Sequence, residues 1–472
     1  MRSLLSHSVN VTFFYVPQIV QALRYDRLGY VEQFIMEASL LSPLFAHQII
    51  WNMKANTYKD EDSTIPDPLK PKLDRLTQRM IDALSGEDKA FYEREFSFFN
   101  EVTSISGKLR PFIKRTKAEK KAKIDEEMKK IELDVGVYLP SNPDGEVIGI
   151  DRKSGRPLQS HAKAPFMATF KIRRVKRLMN GHDNMVNGDE ETDMVTEVMQ
   201  SAIFKVGDDC RQDVLALQLI SAFRNIFNGV GLDLYLFPYR VTATAPGCGV
   251  IDVLPNSISR DMLGREHVNG LYEFFMREHN GPNSTKFQKA RNNFITSMAA
   301  YSIVTYLLQF KDRHNGNIMI DSEGHILHID FGFCFDIGNC LRVIMLTPAP
   351  GGITFESAPF KLTHEMITVI SGPEASKHSQ HYRRFEELCV KGFLACRPYA
   401  EEIVRCVQLM LDSGLPCFKG MTTIKNLRDR FVLDKNEREA SDYMMGLIRA
   451  SHENIRTVMY DQFQYATNGI PY

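Results

Sequence analysis

Residues 311–333 read KDRHNGNIMIDSEGHILHIDFGF. A polar turn at 312–316 leads into a short apolar run; a Ser-Glu-Gly turn follows, then a second apolar run and Asp330-Phe331-Gly332. A tight hairpin here brings Asn317 and Asp330 to the same end. One amide oxygen and one carboxylate suit Mg²⁺, which prefers hard oxygen ligands and completes its shell with waters and phosphate oxygens. The chemistry in prospect is phosphoryl transfer, in which the protein chiefly positions groups and balances charge. Each polar residue taken singly is an ordinary turn or cap residue. Their joint occurrence at this spacing argues against coincidence.

Phosphoryl transfer also needs a cation near the phosphates. Lys205 ends a short strand in AIFKVGDDCRQD, where a Gly-Asp-Asp turn and an amphipathic helix follow directly. A lysine on a strand is usually just solvated, but this one has Asp213 eight residues on, placed to hold the lysine or a metal's water shell. Asp208 and Asp209 read as helix caps. Adenine calls for a backbone donor and acceptor on a connecting segment. Residues 250–257 (VIDVLPNS) are the candidate, with the Asp252 carbonyl and the Leu254 N–H facing the adenine edge. No glycine-rich phosphate loop is present; QSHAKAP at 159–165 stands in its place, with Ser160 among small residues that let backbone N–H groups approach a phosphate. The five-residue interval from Asp312 to Asn317, followed by D-F-G, is that of the kinase catalytic loop, although the local order is Asp-Arg-His.

The elements that must position these residues can be read from periodicity. Residues 1–60 read as helix pairs, and 71–110 as helical again, with Phe91, Phe96, Phe98 and Phe99 as core. Residues 117–133 carry dense mixed charge, the mark of a solvated helix held by i,i+4 pairs. A turn-rich stretch follows at 140–155. The period then shifts to strands at 166–175, 201–207, 232–241 and 250–254, around a helix at 209–229. From Asn256 onward the chain is mostly helical. The expected architecture is α+β: a two-lobed catalytic domain, with a β-rich small lobe at 159–256 and a mostly helical large lobe at 257–472. An all-α module at 1–110 precedes it, with a charged helix and linker at 111–158.

Composition narrows the classes. The chain has 472 residues, with 58 Lys+Arg against 58 Asp+Glu, and that balance argues against a nucleic-acid binder. With 43% hydrophobic and 25% charged residues it is an ordinary globular chain. Eight cysteines without a C-x-x-C pair point to a reducing compartment rather than a disulfide scaffold or structural zinc. No apolar run is long enough to span a membrane, so any membrane role is peripheral.

AIFKVGDDCRQD, LFPYRVTATAPGCGVIDVLPNS, KDRHNGNIM and IDFGF together resemble the nucleotide-site blocks of the phosphatidylinositol 3-/4-kinase superfamily. The resemblance is closer still to the type III phosphatidylinositol 4-kinase alpha subfamily. QALRYDRLGYVEQFIMEASLLSPLFAHQIIWNMKANTY resembles the end of that subfamily's helical domain, and the final IPY matches too. Members are far longer, so the expectation is a C-terminal portion. The resemblance implies a lipid kinase using ATP and Mg²⁺, with Mn²⁺ able to substitute, acting on the 4-hydroxyl of phosphatidylinositol. It implies Lys205 on the ATP phosphates, and Asp213 and Tyr239 lining the back of the site. Asp312 and His314 flank the inositol hydroxyl, with His314 as general base or transition-state stabiliser, and Asn317 and Asp330 hold the metal. Arg313 is expected to be structural. Gly351, Gly352, Phe360 and Lys361 belong to the loop that meets the lipid headgroup. The resemblance further implies a cytoplasmic enzyme, peripheral at the plasma membrane and recruited by scaffold proteins.

Residues 331–366 contain only Arg342 and Lys361 as fixed cations. Ring phosphates demand charge-assisted donors, so the unphosphorylated headgroup is favoured. The family pattern lacks the stretch GNCLRVIMLTP at 338–348, which is expected to impair lipid turnover while sparing ATP binding. The tail 454–472 is aromatic and apolar, suited to packing on the large lobe or to a bilayer surface. Two alternatives stay open: a truncated chain that binds nucleotide without turning over, and a related Ser/Thr protein kinase.

Overall fold

The computed structural model describes residues 9–134, 136–158, 164–177, 193–266, 270–335 and 358–471. The chain forms two compact units, Met1–Val214 with Tyr239–Val253, and Leu215–Pro238 with Leu254–Tyr472.

The first unit begins with helices α1 (Val9–Phe14), α2 (Val16–Ala22), α3 (Tyr30–Leu41), α4 (Pro43–Ala55), α5 (Lys70–Ala83), α6 (Gly86–Lys108) and α7 (Lys117–Met128). Their starts follow local chemistry. Ser42 accepts the Phe45 N–H ahead of Pro43 at the first turn of α4. Thr116 and Glu119 form a reciprocal capping box on α7. The charged α7 carries the expected i,i+4 pairs, Lys121–Asp125 and Lys123–Glu127, yet buries Ile124 and Met128. Trp51 of α4 stacks on Phe96 of α6 at 3.9 Å between ring centroids.

Six antiparallel strands complete this unit: β1 (Tyr138–Leu139), β2 (Asn142–Pro157), β3 (Phe166–Arg177), β4 (Asp193–Val206), β5 (Val241–Ala245) and β6 (Cys248–Asp252). Their spatial order is β1-β2-β3-β4-β6-β5. Period-2 alternation turns Phe166, Ala168, Phe170 and Ile172 inward. There Phe166 stacks on Phe204 of β4 at 5.2 Å, and Phe170 meets Phe98 of α6 edge-on. Helices and sheet thus share one core, running from Val16 to Val250. Each large side chain fully buried there contributes roughly 1.5–3 kcal/mol.

Two stretches differ from the sequence expectation. Residues 140–155 were expected to be turns, but most of them lie in β2, which pairs with β3 across two register shifts. The glycines that suggest turns sit at irregularities of the strand instead. A Cβ on Gly155 would lie 2.4 Å from Ile124, so glycine is what lets α7 lie against β2. Residues 232–240, expected to be a strand, form none. Pro238 interrupts that run, and the Tyr235 and Phe237 N–H groups donate to the Thr296 carbonyl and the Tyr301 hydroxyl rather than to a neighbouring strand.

The helix α8 (Arg211–Gly229) starts in the first unit and continues into the second. The second unit holds a small sheet, β7 (Ser257–Ser259), β8 (Ile318–Asp321) and β9 (Ile326–His328), in the order β7-β8-β9. Around it lie α9 (Arg260–Arg265), α10 (Leu271–Glu278), α11 (Thr285–Leu308), α12 (His364–Ser371), α13 (Gln380–Cys396), α14 (Ala400–Gln408), α15 (Met421–Asp429), α16 (Glu437–Ser451) and α17 (Ile455–Asn468). Every residue of α11 from Phe294 to Leu308 is buried, which makes it the central helix of this unit. None of the described helices is long and apolar enough to cross a membrane.

Candidate active site

The candidate loop of the second unit hangs from the end of α11. Gln309 closes that helix in the left-handed conformation, φ 53°. The Lys311 N–H then bonds the Phe333 carbonyl at 2.9 Å, and the Phe335 N–H bonds the Leu308 carbonyl at 2.7 Å. The loop is therefore stitched to the segment that carries Asp330. The hairpin β8–β9 pairs Ile318 with His328, and the Ile329 N–H donates to the Asn317 carbonyl at 3.1 Å. Asn317 and Asp330 thus lie at the same end of the hairpin, as their spacing requires.

Both aspartates adopt positive φ, 63° at Asp312 and 60° at Asp330. Aspartate tolerates this region better than most residues, but surrounding bonds must hold it there. Arg313 supplies several of them. Its guanidinium donates to the carbonyls of Lys311 (2.9 Å), Ile329 (2.7 Å) and Asp330, and lies over the Phe331 ring. Arg313 is buried, so one side chain pins both halves of the site. The Asn317 amide nitrogen donates to the Asp312 carbonyl at 2.9 Å.

His314 accepts the Gly316 N–H on Nδ1 at 3.0 Å. The neutral ring then carries its proton on Nε2, which lies 3.8 Å from Asp312 Oδ2. Burial, with Arg313 and Lys361 adding to it, pushes His314 down to about 4, so the ring is neutral at pH 7. Burial raises the Asp312 carboxyl, an effect opposed by the Tyr460 hydroxyl that donates to its Oδ1. Gln464 reaches the same oxygen at 3.5 Å.

The headgroup-loop residues that the structure describes face inward. Phe360 is 3% exposed. Lys361 is 5% exposed and binds both oxygens of Asp461 at 2.7 Å and Asn315 Oδ1 at 2.9 Å. Ser160, Gly351, Gly352 and the stretch 338–348 lie outside the described residues.

In the first unit Lys205 lies on β4 opposite Gly249 of β6. Its Nζ is 3.0 Å from Asp208 Oδ2. Asp208 is therefore an ion-pair partner rather than the expected cap, while Asp209 accepts the Arg211 N–H at 3.0 Å at the start of α8. Asp213 is buried in the first turn of that helix. Lys205, Asp208, Asp209 and Asp213 all act electrostatically on the buried Cys210 thiol, whose burial pushes it well above the usual range. Tyr239 is buried just ahead of β5. Asp252 ends β6, and the passage from the first unit to the second falls between Val253 and Leu254, inside the proposed adenine-binding segment.

Asp252 also makes a pH prediction. Burial lifts it to about 6, above an unfolded value of ~3.9. Its ionised form therefore costs the first unit stability above about pH 6, by up to about 3 kcal/mol, and that cost disappears below about pH 4. Asp252→Asn keeps an oxygen to accept the Ser141 hydroxyl. It should raise the melting temperature at pH 7.5, with the gain shrinking toward pH 4.5. A gain of the same size at both pH values would exclude this account.

The metal ligands implied above can be tested against these contacts. The Asn317 nitrogen is engaged, so its amide oxygen is the atom that would ligate, and Asp330 is an exposed residue whose Oδ1 accepts the Gly332 N–H at 3.4 Å. One amide and one carboxylate oxygen fit a cation that takes its remaining ligands from water and phosphate. Among the described residues no cluster of three or more His, Cys, Asp or Glu could hold a metal by itself.

Tyr460, Asp461 and Gln464 contact the catalytic loop or its lysine, and little in their local sequence announces it. The only trace they leave is the i,i+4 spacing of Tyr460 and Gln464, which puts both on the buried face of a helix of mixed polarity.

The fold and loop define a class that comparison bears out. Residues 199–420 match the Phosphatidylinositol 3- and 4-kinase family, and residues 1–93 match the accessory (PIK) domain of the phosphoinositide 3-kinase family. The chain belongs to the phosphatidylinositol 3- and 4-kinase family. It is similar to phosphatidylinositol 4-kinase stt4 of Schizosaccharomyces pombe, with 69% identity over 100% of this chain and 25% of that protein. It is also similar to phosphatidylinositol 4-kinase STT4 of Saccharomyces cerevisiae, with 62% identity over 100% of this chain and 24% of that one. Phosphatidylinositol 4-kinase alpha 2 of Arabidopsis thaliana is 41% identical over 93% of this chain and 78% of its own length. The chain thus spans about a quarter of the length of the two yeast relatives.

Proposed function

We propose that the chain carries the catalytic machinery of a phosphatidylinositol 4-kinase, moving the γ-phosphoryl group of ATP to the 4-hydroxyl of phosphatidylinositol. The observation that supports this most is the loop in which Asn317 is bonded to Asp312 and lies beside Asp330, all pinned by Arg313. Asn317 and Asp330 would hold Mg²⁺. When bound, the ion neutralises phosphate charge and orients the transferring group. Lys205 would meet the phosphates as a point charge, with Asp213 and Tyr239 behind it, Ser160 as a phosphate-loop donor, and the backbone at Asp252 and Leu254 reading adenine.

The proton inventory supports a reading of the remaining roles. His314 accepts on Nδ1 and is neutral at pH 7, so its Nε2–H serves as a donor to the transferring phosphoryl oxygens. Of the two roles expected for His314, transition-state stabiliser is therefore favoured over general base. Asp312 is the group that receives the inositol hydroxyl proton. Gly351, Gly352, Phe360 and Lys361 would shape the headgroup side, with Lys361 acting through Asn315 rather than as a direct cation. The enzyme would work peripherally at the plasma membrane, brought there by scaffold partners.

Incubation of the full chain with radiolabelled ATP, Mg²⁺, phosphatidylinositol vesicles and a generic protein substrate tests this reading. Label in phosphatidylinositol 4-phosphate is expected; label in protein alone would overturn it. Deleting residues 338–348 should raise lipid turnover severalfold while ATP affinity stays within about twofold, as expected when binding and turnover depend on different contacts. Equal turnover with and without the stretch would refute its inhibitory role.

A further inference from the structure

We infer that Tyr460 of α17 is a positioning residue for this reaction: its hydroxyl, oriented by Gln464, fixes the Asp312 carboxylate. The inference rests on the phosphoryl-transfer reading above and assigns part of the active site to the C-terminal helix.

Three residues at i,i+4 intervals on α17 form a directional chain. Asn468 Nδ2 donates to Gln464 Oε1 at 2.6 Å, which sets the orientation of the Gln464 amide. Gln464 Nε2 then donates to the Tyr460 oxygen at 2.7 Å. With its oxygen accepting there, Tyr460 directs its own proton to Asp312 Oδ1. Hydrogen bonds in such a series polarise one another, and this one runs through a poorly solvated region, with Tyr460 6% and Gln464 5% exposed. The series ends on one carboxylate oxygen of Asp312 and leaves the other, Oδ2, on the His314 side.

Asp312 needs such a hold. Its main chain is fixed by Asn317 at the carbonyl, but a positive φ alone leaves the carboxylate rotor undefined. A carboxylate that turns its oxygens away from the substrate hydroxyl loses the near-attack geometry. The helix that carries Tyr460 is itself anchored to the same loop. Asp461 pairs with Lys361, Lys361 bonds Asn315, and Asn315 donates to the Pro471 carbonyl at 3.1 Å. Arg265 adds a 2.8 Å bond to the Gly469 carbonyl.

Tyr460→Phe in the full chain removes the hydroxyl and keeps the ring. The expected result is a kcat lowered roughly 10- to 100-fold, with KM for ATP and melting temperature close to those of the unaltered protein. Gln464→Leu removes the donor that orients the Tyr460 hydroxyl, together with its own 3.5 Å contact to Asp312, and should lower kcat less. A Tyr460→Phe variant with unaltered kcat overturns the inference, as does one in which kcat falls only together with melting temperature. The underlying reading fails separately: if the unaltered chain labels protein rather than lipid, the substrate assignment falls, and the same kcat comparison runs on the protein reaction.

Discussion

Asp330→Asn should lower lipid phosphorylation by on the order of 10³-fold while leaving the second unit folded. The substitution is nearly isosteric. Asparagine tolerates the left-handed conformation that Asp330 adopts at φ 60°, and its side-chain oxygen can still accept the Gly332 N–H. The contact that holds the backbone here, from the Arg313 guanidinium to the Asp330 carbonyl, does not involve the side chain. Only the negative charge is lost. On the proposed assignment a hard cation shared with phosphate oxygens depends on that charge, because the other proposed ligand, Asn317, is neutral. Initial rates measured across a Mg²⁺ titration, alongside a melting curve, separate the two effects. A variant that keeps a tenth or more of the unaltered turnover, with an unchanged Mg²⁺ requirement, would remove Asp330 from the metal site.

The second large effect is on stability. Lys361→Met should destabilise the second unit by about 3–5 kcal/mol, because it leaves the Asp461 carboxylate buried without its cation. The side chains of Lys361 and Asp461 are 3% and 9% exposed, so solvent screens the pair little. For a unit of this size the loss corresponds to a fall of about 10 °C in melting temperature. Replacing both members, Lys361→Met with Asp461→Leu, removes the orphaned charge and should restore most of the lost stability. If the double variant melts as low as the single one, charge burial is not the cause. Because Lys361 also bonds Asn315, the single variant should lose turnover even at temperatures where it remains folded.

Lys361 also marks how far sequence reading reaches. By composition it is one of two fixed cations in residues 331–366 and therefore a candidate for a lipid headgroup. Nothing within twenty residues of it indicates Asp461, a hundred positions away. His314 is a similar case. Its type and place in the loop suggest acid–base work, but its tautomer follows from the Gly316 N–H and its neutrality from burial. In the first unit, Asn-Pro-Asp-Gly and Ser-Gly read as turns because those residue types favour turns. Here residues 142–145 lie at the irregularity where β2 pairs with β1, and Ser154-Gly155 at one where it pairs with β3.

The features that the sequence determined by itself are local ones. The β8–β9 hairpin that sets Asn317 beside Asp330, the strand bearing Lys205 and the helix after it, and the caps of α4 and α7 all follow from residue order over about twenty positions, where backbone preference and side-chain period act directly. Tertiary structure alone decided the rest. It merged the N-terminal helices and the six-stranded sheet into one core, brought Tyr460 to Asp312 across 148 residues, and committed Lys361 to Asp461. Such contacts join chemically ordinary residues far apart in the chain. Hydrophobic burial and the satisfaction of buried polar groups select them only once the whole unit has folded, so no short-range pattern records them.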